Sequence, residues 1–166
     1  MAGYLTNMSD IIYNGIRKTN RFLNIGKNFM EFKENALTEE IYRKLRSSVE
    51  WMNFSTEQIK QGLSRSLYSL VAYDVEKPIG MGRIVGDGIY NTICDIVIDP
   101  AYQGRGLGTE IMNRLLAYLE NQTPENGRVS VQLIAEKGKE TFYKKFGFQS
   151  VPNESSGSGM RMIIRK

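Results

Sequence analysis

Residues 91–98 read Asn-Thr-Ile-Cys-Asp-Ile-Val-Ile, a mostly apolar, β-prone run that Asp99-Pro100 stops. Shortly after it, Leu107, Ile111, Leu115 and Leu119 recur every fourth position, the spacing of one helix face. A second β-prone run follows at 128–134. A strand, a crossover helix and another strand close as a parallel pair within one sheet. This constraint organises the rest of the chain.

Upstream, Met8, Ile11, Ile12, Ile16 and Phe22/Leu23 stand at helical spacing over 8–23, with Ser9 or Asp10 as cap. Asn28–Phe32 reads as a short strand. Thr38 caps a helix whose apolar stripe is Ile41, Leu45 and Val49, and Ser55 opens another containing Ile59 and Leu63. Leu67–Tyr73 and Ile79–Val85 form a hairpin about the turn Glu76-Lys77-Pro78. After the parallel unit come a helix over 139–146 ended by Gly147, a flexible loop over 152–159 and a last strand, Met160–Ile164. The order predicts an α/β (more narrowly α+β) fold. Its sheet is mixed and mostly antiparallel around a central parallel pair, with helices on both faces. A chain of 166 residues suits one domain, placed at 26–166, with 1–25 a helical N-terminal extension.

The chain has no histidine and one cysteine, Cys94. That excludes Ser-His-Asp and Cys-His nucleophile systems, zinc clusters and an internal disulfide, and predicts no metal. Acid–base chemistry falls to Asp, Glu, Tyr, Lys or water. A lone thiol, no secretion leader and no apolar run near the ~20 residues of a membrane span predict a cytoplasmic protein with no membrane partner. The net charge of +4 gathers at the two ends of the chain. Its basic residues lack the aromatic interleaving of a nucleic-acid platform, so no nucleic acid is expected.

Gln103-Gly104-Arg105-Gly106-Leu107-Gly108 fills the junction between the apolar strand and the long helix. Alternating glycines permit positive φ and close approach of a ligand to the backbone, and the unpaired N–H groups of a helix start attract phosphate or pyrophosphate. Arg105 offers a further positive charge. No Gly-Lys-Ser/Thr follows, and the glycine spacing departs from the dinucleotide fingerprint, so neither nucleotide motif applies.

Tyr102 to Gly108, after Val97-Ile98-Asp99-Pro100, resembles the acetyl-CoA signature Q/R-x-x-G-x-G/A of the GNAT superfamily of N-acetyltransferases. Thr141 to Phe148, TFYKKFGF, resembles its second signature, the F-Y-x-x-x-G-F helix end. The likeness extends over residues 28–164 and includes Glu50-Trp51, Ser66–Ser69, Gly80–Gly88 and Ile93–Val97. Those stretches are similar to small bacterial GNAT proteins and to plant and cyanobacterial serotonin N-acetyltransferases.

The resemblance implies that the parallel pair splays to hold acetyl-CoA as co-substrate. Ile96, Val97 and Ile98 would offer backbone groups to the pantetheine arm and the thioester carbonyl. Gln103, Gly104, Arg105, Gly106, Leu107, Gly108 and Thr109 would cradle the pyrophosphate. Tyr143 would border the cofactor and protonate the departing thiolate, a feasible transfer because a phenol pKa near ~10 is close to a thiol's ~8.5. Phe142, Phe146 and Phe148 would be core or cofactor wall.

The amine's proton would leave through a carboxylate, a water chain or bulk solvent. Asp95, on the buried strand, is one candidate base, or else a structural carboxylate. Asp87, in a Gly-flanked loop, is a second candidate and an amine anchor, or else a hairpin-end turn residue. The positions that often carry the base in similar proteins hold Cys94 and Thr92 here, neither of them a base. Cys94 reads as a small buried apolar residue rather than a nucleophile. Trp51 would wall the acceptor pocket or simply pack.

The resemblance, with these residues, implies an N-acetyltransferase that passes acetyl directly to a primary amine of a small molecule, an arylalkylamine among the options, and works as a homodimer. The alternatives are acetylation of protein lysines or N-termini, and a CoA-binding module without turnover.

Overall fold

The computed structural model describes residues 22–25 and 28–165. Six strands form one sheet in chain order: β1 (Phe22–Ile25), β2 (Asn28–Glu34), β3 (Tyr68–Asp74), β4 (Lys77–Gly86), β5 (Tyr90–Ile98) and β6 (Ser130–Gln132). All neighbours are antiparallel except β5 and β6, which are parallel, as the strand–helix–strand unit requires.

Helices cover both faces. On one lies α3, Leu107–Gln122, whose Leu107, Ile111, Leu115 and Leu119 are all buried against Leu70, Ala72, Ile84 and Ile93. Gly82 allows α3 this close approach, since a Cβ there would stand 2.8 Å from Ile111. The short α4, Glu140–Lys144, packs its aromatics on the same core. On the other face lie α1 (Glu39–Ser48) and α2 (Thr56–Ser64), where Tyr42, Leu45 and Ile59 meet Val71, Met81 and Val97.

The expected Thr38 cap forms, and Ser55 starts its helix as expected. Thr38 Oγ1 accepts from Ile41 N at 3.3 Å, and Ser55 and Gln58 make a reciprocal capping box with both bonds at 3.2 Å. Such a cap contributes about 1 kcal/mol. The stripe of α1 is rotated from the expected one. Tyr42, Leu45 and Arg46 are buried, while Ile41 and Val49 are only half-buried. The rotation carries Tyr42 and Arg46 to a carboxylate on β5.

The ends differ from the expected elements. Phe22 and Leu23, read as the last turn of a helix, instead pair with Glu31 and Met30 in β1. A ladder partner decides a segment this short, and β1 joins the sheet from within the span assigned to an extension. The rest of the helix expected over 8–23, with its caps, lies outside the described residues. The strand expected over 128–134 keeps ladder pairs only over Ser130–Gln132. Met160–Ile164 joins no strand, and its apolar residues are exposed, Met160 by 96%. Alternation marks strand propensity, but a strand needs a partner to form. The parallel pair therefore lies at the edge of the described sheet rather than at its centre. Among the described residues no helix is long and apolar enough to cross a membrane, and no group of three or more His, Cys, Asp or Glu is placed to hold a metal ion.

Candidate active site

The parallel pairing of β5 and β6 ends at Thr92 and Gln132. Beyond that point Ile93, Cys94 and Ile96–Ile98 on one side and Leu133–Glu136 on the other become the two walls of a cleft of about 730 Å³. A strand whose outer edge has lost its neighbour leaves backbone N–H and C=O groups unpaired, ready for an extended ligand. Ile96, Val97 and Ile98, expected to serve this purpose, all line the cleft.

The floor of the cleft is the start of α3. Gly106 caps the helix at φ 82° and Gly104 stands at φ 74°, both in the left-handed region where glycine costs least. No side chain caps this end. The first helical bond of the turn runs from Glu110 N to Gly106 O at 3.1 Å, so the N–H groups of Leu107, Gly108 and Thr109 have no partner within the helix. A Cβ at Gly104 or Gly106 would meet nothing within 4 Å, so the turn opens onto free space. Unpaired donors, the positive end of a helix of 16 residues and an open cradle together fit a pyrophosphate. The donor set and the shape suit acetyl-CoA.

The loop is braced from below. Tyr102 donates its hydroxyl to Asp74 Oδ2 at 2.8 Å, and Lys77 pairs with Asp99 at 2.9 Å. Asp99 Oδ1 accepts from Ala101 N, and Gln103 Nε2 donates to the Ile98 carbonyl at 3.1 Å. Gln103 and Thr109 line the cleft as expected, but Arg105 does not. Its guanidinium donates to the Ala101 carbonyl at 2.8 Å and lies over the Tyr102 ring, so it stiffens the loop instead of adding charge to the cradle.

Tyr143, half-buried on α4, borders the opposite wall. Its ring meets Phe142 edge-on at 5.0 Å and Phe148 at 6.3 Å. Its hydroxyl has no hydrogen-bond partner among the described residues. Burial first, and then the charge of Glu136, raise its pKa above the usual phenol value. The phenol therefore stays protonated through the neutral range. Cys94 also lines the cleft, and burial pushes its thiol up to about 12, which excludes a thiolate nucleophile.

Neither expected base reaches the cleft. Asp87 is exposed, and its Oδ1 accepts from Ile89 N and Tyr90 N, both at 2.8 Å. It caps the turn between β4 and β5, and those backbone bonds hold its carboxyl below the usual range. Asp95 lies on the α1–α2 side of the sheet. Its Oδ1 accepts from Arg46 at 2.8 Å and Tyr42 at 3.2 Å, and its Oδ2 from Arg83 at 2.6 Å. Both oxygens are thus committed to partners away from the cleft.

Trp51 does line the cleft, together with Val49, and its outer side carries the Arg46 guanidinium 5.2 Å from the ring. The only carboxylate among the lining residues is Glu136, which sequence reasoning passed over. Its place between the end of β6 and Tyr143 was the available signal. Arg161 and Lys139, also unforeseen, border the cleft.

The architecture matches known proteins. Residues 31–164 match the family model described as Acetyltransferase (GNAT) domain. The chain is 31% identical over 106 residues to serotonin N-acetyltransferase 2, chloroplastic, of Oryza sativa subsp. japonica, a match over 61% of this chain and 51% of that one. It is 31% identical over 141 residues to the uncharacterized N-acetyltransferase ycf52 of Pyropia yezoensis, covering 77% and 78% of the two chains. A crystal structure from meticillin-resistant Staphylococcus aureus, described as a probable acetyltransferase, superposes with a TM-score of 0.70 at 32% identity, covering 80% of this chain and 99% of that one. The chain therefore belongs to the GNAT acetyltransferase family. It spans about half the length of the chloroplastic relative it matches.

Proposed function

We propose that this protein is an acetyl-CoA-dependent N-acetyltransferase that acetylates a primary amine of a small molecule by direct attack. One relationship carries the reading: the open edge of β5 faces the same cleft as the uncapped start of α3, with Tyr143 on the far wall. GNAT acetyltransferases take acetyl-CoA as the acetyl donor. The amine nitrogen forms a bond to the thioester carbonyl carbon as the carbon–sulfur bond breaks.

The chain's residues act at three places. A backbone N–H among Ile96–Ile98 donates to the carbonyl oxygen, where negative charge develops. The N–H groups of 107–109 neutralise the pyrophosphate. Tyr143 Oη passes its proton to the departing sulfur. Glu136, as the cleft's carboxylate, anchors the incoming ammonium, and the amine's proton leaves through it or through water.

An arylalkylamine suits the acceptor side, because Trp51 and Val49 form an apolar wall that takes an aromatic body. The name of the rice relative points the same way. A homodimer and a cytoplasmic location belong to the proposal. Exposed Met160, Met162 and Ile164 support the first, and a chain with a single cysteine supports the second.

The test is CoA release from acetyl-CoA with arylalkylamines, polyamines, aminoglycosides and lysine peptides, using wild type and Tyr143→Phe. Turnover of an arylalkylamine that falls in Tyr143→Phe supports the reading. Turnover of lysine peptides alone moves the acceptor to proteins. Tight acetyl-CoA binding without any turnover makes the chain a CoA-binding module.

A further inference from the structure

We propose that Asp95 is a positioning residue of the donor site, a role that rests on the acetyl-CoA reading above. It locks a β-bulge in β5, and the bulge aims the backbone of Ile96–Ile98 into the cleft.

The bulge is visible in the register. Met81 pairs with Val97, but Arg83 pairs with Cys94, so the single residue Gly82 faces both Asp95 and Ile96. Asp95 is the residue that bends, at φ 54°, a left-handed conformation unusual for a side chain other than glycine. A strictly alternating β5 would turn Asp95 to the same side as Ile93, into the apolar core under α3. Instead Ile93, Ile96 and Ile98 all face that core, while Val97 packs on the opposite one. The extra residue thus changes the phase of the strand just before the segment that borders the cleft.

The Asp95 carboxylate is held in that position from two elements. Arg83 of β4 and Arg46 of α1 pair with its two oxygens, and the Asp95 side chain is only 9% exposed. Such a carboxylate cannot swing back toward the α3 side without leaving two guanidinium groups unpaired in a poorly hydrated place. Arg46 extends the clamp, since its other nitrogen donates to the Met52 carbonyl at 2.7 Å and its plane lies against Trp51. One guanidinium therefore ties the bulge on the donor wall to the loop that carries Trp51 on the acceptor wall.

The test compares wild type with Asp95→Asn and Asp95→Gly. Asparagine keeps the shape and removes the charge. Glycine adopts the positive φ without strain and removes the clamp altogether, so it decides the matter if the asparagine variant fails to fold. Three quantities are read: NMR shifts and exchange of the amides of 96–98, the acetyl-CoA Kd by calorimetry, and Tm. The expected result is displaced 96–98 amides and an acetyl-CoA Kd raised by about tenfold or more in folded protein, the scale of losing a charged hydrogen bond. Unchanged amides in folded variants, or a lowered Tm with an unchanged Kd, overturns the proposal. Wild type that fails to bind acetyl-CoA overturns the functional reading instead, while the amide shifts still decide whether Asp95 holds the bulge.

Discussion

Arg46 Nη1 lies 2.8 Å from Asp95 Oδ1, joining a helix on one face of the sheet to the strand that borders the cleft. Both side chains are nearly buried, with 11% and 9% exposed. Removing one partner of such a pair leaves an uncompensated charge. Arg46→Ala is expected to lose about 3 kcal/mol of stability, the lower end for a broken buried pair because Arg83 still neutralises Asp95. Urea unfolding of the two proteins checks this.

Tyr143→Phe removes the proposed proton donor and little packing, since the ring contacts survive. The kcat for the best amine is expected to fall at least ~10²-fold with the acetyl-CoA Kd nearly unchanged. The pH dependence has a definite sign. Burial raises the Tyr143 pKa above 10.0, so the phenol remains protonated below that value and is lost only as pH rises beyond it. The wild-type kcat profile should show no Tyr143 limb between neutral pH and the ordinary phenol range. The part of stability linked to this group is complete below the unfolded pKa and is lost as pH rises from there through the higher folded pKa.

Asp87→Asn separates a turn cap from a base. Asparagine accepts the same two backbone bonds at Ile89 and Tyr90, so kcat should stay within about twofold of wild type, against the ~10²-fold or greater loss expected for a true general base. The lowered Asp87 pKa also has a signature. Its stabilising contribution is present above the unfolded pKa of 3.8 and is lost as pH falls through the lower folded value. Acid unfolding of the variant should lose that component.

Gly106→Ala tests the cradle. The residue sits at φ 82°, so alanine costs about 1–2 kcal/mol, and its Cβ enters the open space at the helix start. Acetyl-CoA affinity should fall by more than this stability cost implies, measured as Kd by calorimetry beside Tm.

Leu115→Ala deletes a side chain with no exposed surface under the centre of the sheet. It should cost about 2–5 kcal/mol in denaturant unfolding, with KM values unchanged in the folded fraction.

Much of the candidate donor site was legible in order along the chain. The stop at Asp99-Pro100, the glycines and the four-residue leucine spacing are local patterns, and each corresponds to a local structure: a strand end, a positive-φ turn and a buried helix face. The acceptor side was less legible. Glu136, Lys139 and Arg161 reach the cleft from segments whose direction depends on packing, and no periodicity reports where such a segment points.

The order of residues alone sets which segments become helix and strand through the centre of the chain, that β5 and β6 run parallel, and that a glycine-rich, uncapped turn opens α3. These follow from periodicity and from the backbone freedom of glycine, which act over a few residues. The partners of Asp95 depend on tertiary packing, whereas Asp87 is held by the turn that follows it. One partner of Asp95 is Arg46, 49 positions away, and it arrives only because α1 packs on the sheet with Tyr42 and Arg46 turned inward. A carboxylate's chemistry depends on which charges surround it, and those neighbours are set by packing between distant segments rather than by the residues beside it in the chain.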